Sequence, residues 1–284
     1  MQVKEFLNYC ERRNLSPLTV RNYRQHLKEY VVFLAGTKDI DETTPADLLE
    51  FICEQSEHVS AKSVNIKISS IRNYFDFCVR FRGMQTNPAL RVQKCKEEKK
   101  LPRYIPQEKM EYLLSNLPES SFKQMRTKAV ISFFYMTGAR CCEVEGLNDM
   151  DLDLTEGRVL LFGKGKKERY VPVCSKLADV LKRYMAKRDL VLPKHDSSLF
   201  CSISGERLSS WQLRKLMISP LCSIVPRECA HPHILRHTFA TVLLNHGKPI
   251  EQISRWLGHS SIAVTQTYLT IANNPAVNNF ETVF

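Results

Sequence analysis

The feature that most restricts the fold is a series of apolar stripes at helical spacing in the first part of the chain, each opened by its own start signal. Asn14-Leu15-Ser16-Pro17 puts Ser16 at an N-cap and Pro17 at the first helical position. Val20, Tyr23, Leu27, Tyr30, Val31 and Leu34 then recur at three and four residues, until Gly36 stops the stripe. Thr44-Pro45 opens a shorter helix with Leu48, Phe51 and Ile52 inward, and Ser60 caps another carrying Val64, Ile68, Ile71, Phe75 and Cys78. No strand is needed, so this part is predicted to be all helix. The outward faces carry Arg21, Arg24, Lys28, Lys62, Lys67 and Arg72. A solvated surface explains any one of them, whereas several basic faces in one small bundle point toward phosphate contacts.

Periodicity breaks between Arg82 and Arg103. Gly83, Asn87-Pro88 and the lysine-rich run LRVQKCKEEKKLPR read as a connection, which divides the chain into a helical domain at 1–83, a linker at 84–102 and a second domain at 103–284. The second domain mixes helices with a small sheet. Pro106-Gln107-Glu108 starts one helix, and the apolar run from Arg126 to Thr137 reads as a buried helix that ends at Gly138. The chain then restarts as a helix with Arg140 near its N-terminus and Glu143 one turn on, where a simple ion pair between the two is the plain reading. Arg158–Phe162 and Glu168–Val173 form two β-rich runs joined by Gly163-Lys164-Gly165-Lys166-Lys167, a hairpin with three lysines at its tip. Helices follow from Ser175 and from Ser209-Ser210-Trp211. The predicted class is mainly α with a small antiparallel sheet.

Charge narrows the partner. Across 284 residues the formal net charge is +11, which calls for a polyanion, nucleic acid or an anionic membrane surface. The N-terminus has early acidic residues and no signal-like apolar core, and no apolar run approaches a membrane span, so a cytoplasmic protein is expected. Ten cysteines lie scattered without a C-x-x-C pair, so reduced thiols, mostly in cores, are expected.

The densest chemistry lies between His231 and Leu269, in HPHILRHTFATVLLNHGKPIEQISRWLGHSSIAVTQTYL. If His-Pro-His opens a helix, His233 and Arg236 share one face and reach one phosphate. His259 and Tyr268 follow. Alternate histidines at 231 and 233 with His237 nearby also raise a zinc site, but the intervening proline and the lack of a nearby carboxylate or thiol speak against it, and Gly163-Lys164-Gly165 lacks the spacing of a P-loop. Neither a metal nor a cofactor is expected.

Arg140 in a T-G-x-R-x-x-E context, Lys164 in G-K-G-x-K-E-R, His233 and Arg236 in PHILRHTFAT, His259 in L-G-H-S and Tyr268 nine residues beyond it together resemble the tyrosine recombinase (phage integrase) family. The likeness is greatest to its Xer-like members and to short integrases and resolvases of mobile elements, and it covers nearly the whole chain. It implies an all-α core-binding domain and an α+β catalytic domain that clamp a duplex between them.

The family's chemistry fits these residue types. Tyr268 is implied as the nucleophile that forms a 3′-phosphotyrosyl link and frees a 5′-hydroxyl, which later rejoins a strand without ATP. Arg140 and Arg236 are planar forks suited to the charge on the non-bridging oxygens, each charge-assisted hydrogen bond contributing roughly 1.5–3 kcal/mol. Lys164 is expected to protonate the leaving oxygen, with Lys166 and Lys167 as local competitors. His233 is expected as general base or phosphate donor, His259 as phosphate donor and Glu143 as the residue orienting Arg140 or its helix, while His237 reads as packing or as a support behind the site. The expected partner is double-stranded DNA with inverted-repeat sites, bound by a homotetramer on paired sites, with an accessory DNA-bending protein as a further candidate. The polar tail from Asn273, with its spaced apolar residues, fits docking on a neighbouring subunit. The sequence leans toward a mobile-element role, with Xer-type dimer resolution second. A type IB topoisomerase and a non-catalytic DNA-binding regulator are the rivals from other classes.

Overall fold

The computed structural model describes residues 2–35, 38–97, 103–163, 167–259, 261, 265–266 and 268. The chain divides into two compact units, Met1–Lys99 and Lys100–Phe284.

Within the first unit run α1 (Gln2–Arg12), α2 (Pro17–Leu34), α3 (Pro45–His58) and α4 (Ala61–Phe81). The start signals act as their chemistry suggests: the hydroxyls of Ser16, Thr44 and Ser60 accept from the backbone N–H of Thr19, Asp47 and Ser63. Leu27, Tyr30, Phe51, Ile71, Tyr74 and Phe75 are buried in the core, each contributing about 1.5–3 kcal/mol relative to exposure. Two details depart from the sequence reading. Val31, one step of about 100° around the helix from Tyr30, faces outward. Helix α1 was not expected, yet Phe6, Leu7 and Cys10 form a short stripe that packs onto Tyr23 and Tyr74.

The stretch read as a linker is, up to residue 97, held against this unit. A 3-10 turn at Pro88–Arg91 buries Ala89, and Val92 joins the same core. Arg72 donates to the carbonyls of Ala89 at 2.9 Å and Val92 at 3.1 Å, while Asn65 pairs with the Cys95 backbone in both directions, at 2.9 and 2.8 Å. Arg72 therefore serves the fold and not a phosphate. Lys67 is likewise paired with Glu29 at 2.8 Å. Arg21, Lys28 and Lys62 stay exposed.

The second unit contains α5 (Gln107–Asn116), α6 (Phe122–Thr137), α7 (Cys141–Glu145), β1 (Leu152–Asp153), β2 (Arg158–Phe162), β3 (Glu168–Pro172), α8 (Ser175–Val191), α9 (Ser210–Leu221), α10 (Pro232–Asn245) and α11 (Ile250–Leu257). The strands form one antiparallel sheet in the order β1-β2-β3, with Leu160 opposite Tyr170. The class is the expected one, mainly α with a small antiparallel sheet. Helix α6 is the central rod, buried on nearly all sides and packed against α8 and α10. It ends at Gly138, whose φ of 62° is left-handed. A Cβ there would lie 2.6 Å from Phe239 Cδ1 and 2.9 Å from Leu257 Cδ2. Glycine at this position thus lets the ends of α6 and α11 close on the side of α10, and that closure brings Arg140 beside Arg236.

All ten cysteines are free thiols; Cys10, Cys78, Cys174, Cys201 and Cys229 are buried and Cys141 packs against the core of the second unit, so most belong to cores, as expected. Among the described residues no helix is long and apolar enough to cross a membrane.

Candidate active site

The site is assembled on the C-terminal end of α11. A helix leaves its last carbonyls without internal partners and carries partial negative charge there. Here the carbonyls of Trp256, Leu257 and Gly258 accept from Arg169 Nε at 2.6 Å, Arg236 Nη2 at 2.6 Å and Arg140 Nη2 at 3.1 Å. Successive residues along one backbone thereby collect arginines from β3, from α10 and from the turn after α6. Arg236 is fixed further by Nη1, which donates to the Gly138 carbonyl at 2.7 Å. Its side chain is buried, and burial followed by the Arg140 charge pushes its guanidinium down to about 9, leaving it charged at neutral pH.

One carboxylate lies among these cations. Glu143 is fully buried; its two oxygens accept from Arg169 Nη1 and Nη2 at 2.7 Å each, from Arg140 Nη1 at 2.8 Å and from the Arg140 backbone N–H at 2.7 Å. Burial works to raise its carboxyl, but the Arg169 hydrogen bonds and charge, with those of Arg140, hold it below the usual range. The pairing of Arg140 with Glu143 suggested by the sequence is present, and Arg140 still keeps an exposed side: 31% of its side chain is accessible against 10% for Arg169.

The histidines and the tyrosine complete the group. His231 caps α10, its Nδ1 accepting from the Ile234 N–H at 3.2 Å, and Pro232 takes the first helical position. His233 is exposed, one turn from buried Arg236. His259 stands one residue beyond the Gly258 cap and pairs through Nδ1 with Thr265 Oγ1 at 2.8 Å. Tyr268 is buried at 3% exposure, and its hydroxyl lies 2.7 Å from Nδ1 of His237. Burial raises the Tyr268 phenol, against the pull of Arg236 and Arg140.

Three guanidiniums facing one carboxylate leave the site short of negative charge, which is the electrostatic condition for an anion. The histidines register the same field. Burial first, then neighbouring positive groups, pushes both His237 and His259 down to about 4. The folded state therefore binds fewer protons than the unfolded chain between about pH 6.5 and 4. Stability from these two groups is complete above the ordinary histidine value and is lost as pH falls through it toward 4. Lowering the pH from 7 to 5 is expected to reduce the Tm of the DNA-free protein by on the order of several degrees. A His237→Asn/His259→Gln variant should show a shallower decline in scanning calorimetry, and an unchanged slope would contradict this account.

Comparison with known proteins places the chain in a family. The pattern described as the phage integrase family matches residues 103–274, and that of the phage integrase N-terminal SAM-like domain matches residues 3–81. The chain belongs to the phage integrase family. It is a tyrosine recombinase, a site-specific enzyme that cleaves and rejoins DNA. Tyrosine recombinase XerC of Bacillus subtilis (strain 168) is 33% identical over 287 residues, covering 98% of this chain and 94% of the relative. Two solved structures share the fold. One is a XerH site-specific recombinase bound to palindromic difH substrate in a post-cleavage complex, with a TM-score of 0.79, 21% identity, and coverage of 95% of this chain and 82% of that one. The other is a Tn1549 transposon integrase in complex with transposon right end DNA, with a TM-score of 0.77, 19% identity and 94% of each chain covered.

Within this recombinase Arg140, Glu143, Arg236 and His259 come together around the end of α11, and Tyr268 packs against α10 through His237. Lys164 and its competitor Lys166 lie outside the described residues, as does the tail from Asn273. The described base of their turn is closed by the Gly163 N–H donating to the Lys167 carbonyl at 2.8 Å. One residue of the site is given no role by the sequence reading. Arg169 stands in the quoted motif, and the period of two along β3 places it in phase with buried Val171, where an inward-facing arginine needs a carboxylate. His237 takes the second of its two expected places, behind the site, where it holds the Tyr268 hydroxyl. Among the described residues no group of three or more His, Cys, Asp or Glu side chains gathers as a metal site.

Proposed function

We propose that this recombinase works as an Xer-type enzyme that resolves chromosome or plasmid dimers, by cutting and rejoining strands of a bound duplex. The mobile-element role to which the sequence leaned gives way, because the support lies in a XerC relative 33% identical over nearly the full length of both chains, while the likeness to the transposon integrase is one of fold. In this reading Arg140 and Arg236 bind the non-bridging oxygens of the scissile phosphate, with His233 and His259 as further donors. Tyr268 attacks phosphorus and passes its phenolic proton to His233, in that residue's alternative role as general base; the P–O5′ bond breaks, and Lys164 gives the departing oxygen its proton. Attack by a 5′-hydroxyl of the partner strand reverses these steps and releases the tyrosine. The chain needs no metal, because the guanidiniums supply the charge. Four subunits assemble on two inverted-repeat sites, with the tail from Asn273 linking neighbours and a DNA-bending protein assisting, in the cytoplasm.

The observation that carries the Xer-type role is the XerC relative; the convergence of Arg140 and Arg236 on adjacent carbonyls beside a doubly paired carboxylate supports the phosphate chemistry. To test it, a duplex recovered by in vitro selection on the protein is placed as two direct repeats on a supercoiled plasmid. Excision into two circles without ATP is the expected result, and disruption of the gene should raise the fraction of dimeric replicons. Relaxation of plasmids lacking the site would favour a topoisomerase. Unchanged dimer levels, with loss of excision of a mobile segment, would return the mobile-element reading.

A further inference from the structure

Glu143 presents a problem of charge. A fully buried carboxylate must be paired, and the nearest partner in sequence is Arg140, whose backbone N–H and Nη1 both reach it. If Arg140 were its sole partner, the fork of that arginine would close on the carboxylate with both Nη groups, the preferred geometry of such pairs. Its charge would then be spent inside the protein and its donors turned away from any substrate.

Arg169 prevents this. Its Nη1 and Nη2 take the two carboxylate oxygens at 2.7 Å each, so Arg140 is left with one Nη group on Glu143 and the other on the Gly258 carbonyl. The third donor of Arg169, Nε, holds the Trp256 carbonyl at 2.6 Å. The backbone runs flush against this guanidinium: a Cβ on Gly258, where φ is +63°, would sit 3.0 Å from both Cδ and Nη1 of Arg169. The same residue stands in β3, one strand register from the hairpin turn that carries Lys164.

We propose that Arg169 is a positioning residue of the strand-cleavage reaction: it neutralises Glu143 so that the charge and free donors of Arg140 remain available to the scissile phosphate, and it fixes the end of α11 on which the arginines converge. This rests on the reading of Arg140 as a phosphate ligand given above. Arg169 itself touches no substrate; it acts through Arg140. The consequence is a specific dependence between two residues. Once Arg169 is gone, Glu143 captures Arg140, and removing the carboxylate should release it.

The test uses the full chain and a selected duplex nicked close to the cleavage point, so that the covalent adduct accumulates. Single-turnover adduct formation, duplex affinity and thermal melting are measured for wild type, Arg169→Gln, Glu143→Gln and the double variant. Arg169→Gln is expected to slow adduct formation by about a hundredfold, the scale of losing one preorganised donor to developing charge. Its affinity for the duplex should stay within a few-fold of wild type. Glu143→Gln in the Arg169→Gln background should restore the rate by at least about tenfold, an interaction opposite in sign to accumulated damage. The Arg169→Gln rate should also rise as pH falls into the carboxylate range, a profile that wild type lacks. A double variant no faster than Arg169→Gln overturns the inference. Should Arg169→Gln alone fail to fold, the double variant, which buries no unpaired charge, decides: a loss beyond about a hundredfold from wild type overturns the inference and a smaller loss supports it. Wild type that forms no adduct overturns the functional reading, and this inference with it. An adduct in wild type that Tyr268→Phe lacks leaves that reading standing whatever the Arg169 series shows.

Discussion

Tyr268→Phe is expected to abolish the covalent protein–DNA adduct, lowering its formation by more than about 10⁴-fold, because no other group replaces an attacking oxygen lost outright. The substitution removes a single oxygen. The ring remains buried against α10, and the only hydrogen bond given up among the described residues is the one to His237. Folding and duplex affinity should therefore be close to wild type, with a stability cost of about 1 kcal/mol or less. The measurement is denaturing electrophoresis of the protein after incubation with nicked, labelled duplex, together with a binding titration on the same DNA. Adduct formation that persists in the variant would remove Tyr268 from its assigned role and direct the search to another nucleophile.

Arg236→Lys is expected to have the next largest effect, and through two routes at once. The guanidinium spans the Gly138 carbonyl at 2.7 Å and the Leu257 carbonyl at 2.6 Å, two helix ends that no single ammonium can reach with the same geometry. One carbonyl should be left buried and unpaired, at a cost of about 1–3 kcal/mol, visible as a lower Tm. Cleavage should fall further than stability accounts for, by roughly 10²–10³-fold, since the fork proposed to meet the phosphate is replaced by a point charge. A lysine variant cleaving within tenfold of wild type would mean that only charge, and not the planar fork, matters at this position.

Much of the architecture was legible in the sequence because local chemistry dictates it. Ser16, Thr44 and Ser60 announced helices that begin where they stand, Gly138 announced the end of the buried rod, and the turn between β2 and β3 followed from glycine between two β-rich runs. The helix at Gln2–Arg12 was passed over because its stripe is short and opens without a capping residue. Composition marks the polar connection as a linker but does not reveal which of its few apolar residues are buried; Ala89 and Val92 are, and Arg72 donates to the carbonyls of both. In the site, motif spacing identifies the residues expected to meet the substrate and Glu143 behind Arg140, but not the longer-range contacts that complete their support. Arg169 reaches Glu143 across 26 positions and His237 reaches Tyr268 across 31, contacts set by the packing of β3 and α10 and not by any local pattern.

The contact between His237 and Tyr268 also sets a population. Drawing the ring out of its pocket exposes an aromatic side chain, costing roughly 1.5–3 kcal/mol, and breaks a hydrogen bond worth about 1 kcal/mol. At about 3 kcal/mol in total, roughly one DNA-free molecule in a hundred or fewer would present its phenol to solvent at any moment. With Tyr268 in its proposed role, the attacking oxygen is kept idle by this equilibrium, and a bound duplex must favour the exposed arrangement by a comparable free energy before the cleavage rate can approach that of the chemical step.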